Sequence, residues 1–471
     1  MAAPRLHAFV LSALLAGWLS LSATPASAAE AACCSPEQAR EDLSVLFAGL
    51  EAAHPRLYFH LPREQALQQR QQLLAGFGQK QPVASLWRTL ARLVAALGDG
   101  HTTLRLPFEA FEPPVGHGTY RFFPFPVRLL PGDQLEVLAD PLQRGLSPGT
   151  RLLAVNGQPV TSLLAALRPF IAGELPAFRE YELAHSFPFY LPLLGEPTAD
   201  FTLDVLADGQ PRHQSIEGTR TSEWQELGAA VDTLPEFAYR YRILPESGAA
   251  LLDFRSCEDP ERFAGFLAEM FSRLQQQGIG TLIVDLRRNG GGNSRLGEQL
   301  VQYLAPAPFR QYSRIDNKVS LLAQDEWGCK GKPSKRGNWP EICRAPRGSM
   351  LSEPGEFTDP LPANQRFGGK VYALIGPGTF SSAADLAVML KDFHLATLVG
   401  EETGGLASSY GDYLEFNLPN SRIGVGVSYR FFVRPSGDTR PEGVKPDLAA
   451  DATLYPDQDP ALAKVLALIA H

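Results

Sequence analysis

The spacing of apolar residues predicts helices in the first part of the chain. Leu43, Leu46, Phe47 and Leu50 recur at the intervals of three and four residues that place side chains on one helix face. A second stripe, formed by leucines between residues 86 and 97, ends at Gly98, a residue type that often terminates helices. Residues 36–97 are therefore predicted to be helical.

The middle of the chain has the pattern of a β-rich region. From Phe122 to about Ile216, short apolar runs alternate with turn residues, which is typical of β-strands. A stretch rich in proline and aromatic residues, from Arg168 to Pro197, interrupts these runs and is expected to be irregular.

From about Tyr239 onward, predicted strands alternate with predicted helices. Residues 249–254 are predicted to form a strand, and residues 281–286 and 371–375 are apolar runs of the kind that is buried on both faces of a sheet. Asp259 is expected to cap one helix, with Pro260 at its first position. This alternation predicts a largely parallel sheet. The predicted fold class is a multidomain α/β protein with a helical N-terminal region and a β-rich module.

The first 28 residues have the features of a secretory signal peptide. Arg5 precedes an apolar stretch of about 15 residues, and Ala26-Ser27-Ala28 has the small-residue pattern of a cleavage site. The stretch is short for a transmembrane helix, and no later segment is long and apolar enough to cross a bilayer. These features predict a soluble exported protein of the periplasm or the extracellular space, without a stable membrane span.

Composition and charge narrow the classes of function. Apolar residues make up 44% of the chain, as in globular proteins, and the formal net charge of −8 argues against nucleic acid as a partner. Cys329 and Cys343 bracket a loop rich in glycine and proline, and a disulfide between them is expected in an oxidising compartment. Neither a C-x-x-C nor an H-E-x-x-H motif occurs, so no metal site is expected.

Two glycine-rich turns at strand ends are candidates for chemistry. Residues 376–385, Gly-Pro-Gly-Thr-Phe-Ser-Ser-Ala-Ala-Asp, lie between a buried strand and a helix, where a serine hydroxyl can lie near the positive end of the helix. Residues 285–293 end another buried strand, and their three glycines allow backbone N–H groups to approach a ligand closely. Taken alone, the first turn is equally well explained as a helix cap and the second as a tight connection.

Two further segments carry a histidine and a carboxylate. His101 follows a Gly-Asp-Gly turn, in a loop of the kind where site residues concentrate. Glu442 lies in the turn Arg440–Asp447. Taken separately, a lone histidine is more often structural, and an acidic residue in a turn is usually solvated.

In their order along the chain, these segments resemble serine peptidases of the C-terminal-processing and tricorn type, in the branch that uses histidine rather than lysine. The matching segments are His54-Pro-Arg-Leu-Tyr58, Leu97-Gly-Asp-Gly-His101-Thr, residues 282–292, Thr379-Phe-Ser-Ser-Ala-Ala, residues 399–405 and Glu442-Gly-Val-Lys-Pro-Asp447. The resemblance implies a ClpP/crotonase-like α/β catalytic domain over residues 238–471 and a helical region over residues 29–110 that carries the histidine. Residues 145–159 resemble part of a PDZ-like peptide-binding module, which would span residues 115–220.

The resemblance also implies roles for individual residues. It places the nucleophile at Ser381, the general base at His101 and the acid that orients the base at Glu442. The oxyanion hole would combine the N–H group of Ser382 with one from the glycine cluster, at Gly291 or Gly292.

The chain departs from the family pattern at several positions. Many relatives have an acidic residue three positions after the nucleophile, and counting back from Asp385 selects Ser382, so that alternative stays open. The segment Glu401–Leu406 lacks the lysine of the lysine-dyad relatives. Tricorn-type sites have a serine before the histidine, where this chain has Gly100, with Thr102 as a candidate substitute.

The predicted function is that of an exported serine endopeptidase that cleaves flexible polypeptides through an acyl-enzyme, without a cofactor. Two alternatives remain at this point: a non-catalytic ligand- or peptide-binding protein on the same scaffold, and a hydrolase of non-peptide esters. A Ser-His-acid set does not by itself select the acyl group, and the sequence does not indicate an oligomeric state.

Overall fold

The computed structural model describes residues 33–107, 122–194, 199–219, 237–331, 339–454 and 458–470. The predicted signal peptide, residues 1–28, lies outside the described residues. The α-helices in the described ranges are α1 Pro36–Ala53, α2 Arg63–Gly76, α3 Val83–Ala96, α4 Val160–Leu167, α5 Pro176–Tyr190, α6 Pro260–Gln276, α7 Arg295–Leu304, α8 Leu321–Glu326, α9 Pro340–Arg344, α10 Ser382–Asp392 and α11 Pro460–Ile469.

The strands in the same ranges form four sheets. They are β1 Cys33–Cys34, β2 Gln81–Pro82, β3 Thr103–Leu104, β4 Val127–Leu130, β5 Gln134–Val137, β6 Arg151–Val155, β7 Gln158–Pro159, β8 Asp200–Ala207, β9 Gln210–Glu217, β10 Tyr239–Leu244, β11 Ala249–Phe254, β12 Thr281–Asp285, β13 Arg314–Lys318, β14 Met350–Pro354, β15 Lys370–Ile375, β16 Thr397–Gly400, β17 Ser409–Asn417, β18 Gly424–Val433 and β19 Leu448–Ala449.

The N-terminal region is helical, as predicted. Ser35 and Gln38 form a capping box at the start of α1, and the predicted stripe from Leu43 to Leu50 is buried. The leucines of the second stripe are buried on α3 and, for Leu97, directly after it, and Gly98 follows in a left-handed conformation, with φ of +80°.

The middle region contains an antiparallel sheet in the order β4-β5-β6-β8-β9, with β7 paired to β6. The prediction that Arg168–Pro197 is irregular was wrong, because this stretch contains the 15-residue helix α5, which packs against β4. Pro176 lies in the first turn of α5, where no backbone N–H donor is required, and Pro188 lies in the last turn. The prolines therefore mark the ends of a helix rather than exclude one.

The predicted α/β region is built on a central sheet in the order β10-β11-β12-β15-β16-β19. Every neighbouring pair is parallel except β10 with β11. Helices α6, α7 and α10 cover one face, and α11 covers the other. All five residues of β12 are buried, as expected for a strand covered on both faces. The mixed α/β fold class is confirmed, and the domain boundaries stay predictions.

A further antiparallel sheet, in the order β14-β13-β18-β17, connects the N-terminal region to the α/β region. Strand β3 pairs with β18 through Thr103–Gly426 and Leu104–Val425. The carboxylate of Asp42 on α1 is also buried and accepts hydrogen bonds from the backbone N–H groups of Asn420 and Ser421, at 2.9 and 2.8 Å. These contacts join parts of the chain that are more than 300 residues apart.

The predicted disulfide between Cys329 and Cys343 is present, with a Cα–Cα distance of 5.4 Å. In the described part of the chain, we find no helix with the length and apolar character needed to cross a bilayer.

Candidate active site

Ser381 occupies a strained turn between β15 and α10, at the carboxyl edge of the central sheet. Its φ of +51° and ψ of −129° lie in a region that non-glycine residues rarely adopt. Thr379 holds the turn, because its hydroxyl donates to the carbonyl of Leu286 at 2.9 Å and accepts from the N–H of Gly376 at 3.1 Å. Strained residues of this kind are concentrated at functional sites.

The glycine cluster after β12 packs directly against this turn. Strands β12 and β15 are parallel neighbours, so their ends lie side by side as predicted. Gly291 has φ of +107°, and a Cβ atom placed on it would lie 2.7 Å from the Cβ of Ser381. A residue with a side chain would collide with the serine turn. Glycine at this position therefore allows the two backbone segments to pack directly against each other, the close approach that the sequence predicted.

The structure brings His101 to Ser381 across 280 residues of sequence. The Nε2 atom of His101 lies 3.0 Å from the Oγ atom of Ser381. The imidazole stacks on the ring of Phe380, with ring centroids 4.7 Å apart. Pairing of β3 with β18 immediately after the histidine fixes the loop that carries it. This geometry is that of a nucleophile and its base.

His101 is in an environment that favours its neutral form. Burial lowers its pKa, while the carboxylates of Asp99 and Asp412 oppose this effect. A neutral imidazole can accept a proton at Nε2, as a general base must. In the described part of the chain, the buried Nδ1 atom of His101 has no hydrogen-bond partner.

The two candidate serines are in different surroundings. The hydroxyl of Ser382 donates to the carbonyl of Gly292 at 2.7 Å, whereas the hydroxyl of Ser381 contacts His101. Asp385, which suggested the alternative register, accepts a hydrogen bond from the hydroxyl of Tyr312 at 2.8 Å. Burial raises the pKa of Asp385 to about 7. The geometry therefore favours Ser381 over Ser382.

Glu442 does not lie where the resemblance implied. Its side chain is 42% exposed, and Oε2 accepts a hydrogen bond from the ammonium of Lys445 at 2.9 Å. That hydrogen bond lowers the pKa of Glu442. Because the Nδ1 atom of His101 has no hydrogen-bond partner among the described residues, Glu442 makes no direct hydrogen bond to it. The role that the resemblance implies for Glu442 therefore has no direct contact to support it, and its carboxylate lies at the surface beside Lys445.

The backbone N–H groups expected in the oxyanion hole differ in availability. The N–H of Gly291 donates to Oδ1 of Asn289 at 2.8 Å, so in this conformation it is occupied, contrary to expectation. Across the described ranges, the N–H groups of Ser382 and Gly292 have no acceptor. The Ser382 N–H also belongs to the first turn of α10, whose N-terminal partial charge is positive.

Sequence reasoning missed the network behind His101. Asp99 is 2% exposed and accepts hydrogen bonds from the N–H of His101 at 3.0 Å and from the hydroxyl of Thr102. His54 Nε2 lies 3.1 Å from Oδ2 of the same carboxylate. The motifs His54-Pro-Arg-Leu-Tyr58 and Gly98-Asp-Gly-His101 contained these residues, but only their spatial proximity shows that they form one network.

Packing explains the glycine before the histidine. A Cβ atom on Gly100 would lie 2.8 Å from Cζ of Phe380 and 3.3 Å from Oε2 of Glu174. A side chain at this position would require the Phe380 ring to shift, and Thr102 donates to Asp99. Throughout the described ranges, no group of three or more His, Cys, Asp and Glu side chains is arranged to hold a metal ion.

Comparisons with known proteins identify the class of domain that this fold and site define. Residues 250–450 match peptidase family S41. The chain is 26% identical over 201 residues to the chloroplastic C-terminal processing peptidase of Tetradesmus obliquus; the match covers 42% of this chain and 34% of that protein, about a third of the relative's length. The chain therefore carries a peptidase S41 domain, which contains Ser381, whereas His101 lies before it.

Solved structures show the same fold over most of the chain. The structure of mature CPAF complexed with lactacystin has a TM-score of 0.63 at 16% identity, and covers 88% of this chain and 94% of that one. A CPAF mutant has a TM-score of 0.62, also at 16% identity, over 88% of this chain and 93% of that one. At this level of identity the likeness shows the fold alone.

Proposed function

We propose that the protein is an exported serine endopeptidase in which Ser381 is the nucleophile and His101 the general base. The observation that carries this proposal is the 3.0 Å contact between Ser381 Oγ and His101 Nε2 at a strained strand–helix turn. The S41 match over residues 250–450 supports a peptidase, and the predicted signal peptide supports export.

Acyl transfer follows from the positions of these atoms. The Oγ atom of Ser381 attacks the scissile carbonyl while its proton moves to Nε2 of His101. The N–H groups of Ser382 and Gly292 donate to the oxyanion, and the N-terminus of α10 adds a favourable potential. His101 then gives the proton to the leaving amine, and a water activated by the same nitrogen hydrolyses the acyl-enzyme.

Flexible polypeptides are the proposed substrates. A chain must be extended to enter a site assembled from the loop carrying His101 and the turn carrying Ser381. The middle sheet ends in the edge strands β4 and β9, and a PDZ-like module would bind an extended peptide along such an edge.

This proposal is tested by assaying the protein, without its predicted signal peptide, for hydrolysis of an unstructured polypeptide such as casein. Ser381→Ala is expected to lose several orders of magnitude in turnover, at least about 1,000-fold, because the nucleophile is removed. Ser382→Ala tests the alternative register and is expected to lose far less activity than Ser381→Ala, since it retains its backbone N–H. Full activity of Ser381→Ala would reject the proposal, and activity toward esters but not peptides would reject the peptidase assignment.

A further inference from the structure

The catalytic cycle proposed above creates a charge that the site must stabilise. When Nε2 of His101 accepts the serine proton, the ring becomes a cation whose Nδ1–H is buried. A buried cation is costly unless a carboxylate lies near it. Glu442 is at the surface with Lys445, so another acid is needed.

Asp99 is suitably placed for this role. Its Oδ1 atom lies 3.9 Å from Nδ1 of His101. A movement of about 1 Å would shorten this distance to that of an ordinary hydrogen bond. Oδ1 already accepts from the backbone N–H of the same histidine, so the carboxylate and the ring belong to one turn.

The hydrogen bonds around Asp99 keep it ionised. The N–H of Arg56 donates to Nδ1 of His54 at 3.0 Å, so in neutral His54 the proton is on Nε2 and points to Asp99. The hydroxyl of Thr102 donates to Oδ2 of Asp99, the oxygen that also faces His54. Burial acts to raise the pKa of Asp99, but the hydrogen bond from His54, together with the other polar groups around the carboxylate, holds that pKa well below its usual range.

The other acidic groups around this loop are less suited to the role. Asp412 forms a salt bridge with Arg430 at 3.1 Å, which offsets its charge. Glu174 lies behind the loop, with Oε2 3.4 Å from the N–H of Gly100. Burial and the charge of Asp99 raise the pKa of Glu174, so this side chain tends to be neutral where Asp99 is charged.

We propose that Asp99, held by His54 and Thr102, is the positioning residue that orients His101 and stabilises its charge, in the role that the resemblance assigned to Glu442. This inference rests on the proposed function of Ser381 and His101. The proton moves only from Ser381 Oγ to His101 Nε2, while Nδ1–H stays on the ring and Asp99 stays ionised.

The test compares Asp99→Asn with Glu442→Gln, two substitutions that remove one carboxylate charge each. We expect Asp99→Asn to lower kcat/KM by about 100-fold or more, within the range typical of general-base catalysis. In the plot of kcat/KM against pH, the rise on the acid side (the acid limb) should move to lower pH by about one unit, because an anion close to the imidazole is lost. A purely structural role would lower the rate without moving the limb. Glu442→Gln should change neither quantity.

Two further variants separate the possible failures. Asp99→Glu restores the charge and should return the limb toward its wild-type position. If Ser381→Ala keeps its activity, the proposed function itself fails; if Ser381→Ala is inactive while Asp99→Asn retains the wild-type rate and limb, only the Asp99 proposal fails. Should Asp99→Asn not fold, Glu442→Gln decides: wild-type kinetics support Asp99, and a large loss with a shifted limb overturns it.

Discussion

The turn that carries Ser381 and the turn that carries His101 are held in place by different kinds of contact. The serine turn joins two adjacent elements, and its bonds go to the neighbouring strand end of the same sheet, such as the Thr379–Leu286 bond. The histidine loop comes from the N-terminal region and reaches the site through the two-residue strand β3 and stacking on Phe380. The nucleophile is therefore positioned locally, whereas the base depends on packing between distant parts of the chain.

Removing the base should have the largest effect. We expect His101→Gln to lower kcat by about 100- to 10,000-fold, because the serine hydroxyl loses its proton acceptor. The serine turn should be unchanged, since none of its backbone bonds involves His101. Steady-state kinetics together with a thermal melt check this, and a rate near that of wild type would show that another group accepts the proton.

A side chain added at Gly291, which packs against the serine turn, should have the second-largest effect. Gly291→Ala puts a Cβ atom 2.7 Å from that of Ser381 in a left-handed backbone conformation. We expect a loss of about 1–3 kcal/mol in the free energy of unfolding and about 100-fold in kcat. Denaturant unfolding and kinetics measure the two effects.

Gly290→Ala is the matched control for that variant, because a Cβ atom on Gly290 meets nothing within 4 Å. It should retain stability and rate. Equal losses in the two variants would mean that the close contact with Ser381 is unimportant.

A side chain added at Gly100, in the loop that carries His101, should have a smaller effect on kcat. A Cβ atom on Gly100 would lie 2.8 Å from the far edge of the Phe380 ring, which can yield more easily than backbone. We expect Gly100→Ala to lower kcat by about tenfold through displacement of His101. Gly265→Ala, with open space around the new methyl group, serves as the kinetic control. A loss as large as that of Gly291→Ala would show that the two turns are equally rigid.

The contrast between the turns also explains which features could be predicted from the sequence. A buried strand, a turn and a helix are adjacent in sequence, so the turn that carries Ser381 followed from local pattern, whereas the resemblance selected Ser381 within it. The pairing of β3 with β18 joins residues more than 300 positions apart, and no local signal predicts it. The role of Glu442 was transferred from the family, and in the structure its carboxylate lies at the surface beside Lys445. Helix α5 was missed because the proline and aromatic content of its segment suggested irregular structure, whereas Pro176 lies in the first turn of the helix.

The most direct test of the central claim is the pH dependence of fluorophosphonate labelling, with the modified residue located by mass spectrometry. If Ser381 and His101 act as one unit, a single adduct forms on Ser381. Its labelling rate should rise through a pKa below the ordinary histidine value of 6.5, because burial lowers the pKa of His101. The same experiment with His101→Gln should lose most of the labelling and the pH limb. An adduct on Ser382, or labelling of Ser381 that is independent of pH and of His101, would contradict the account.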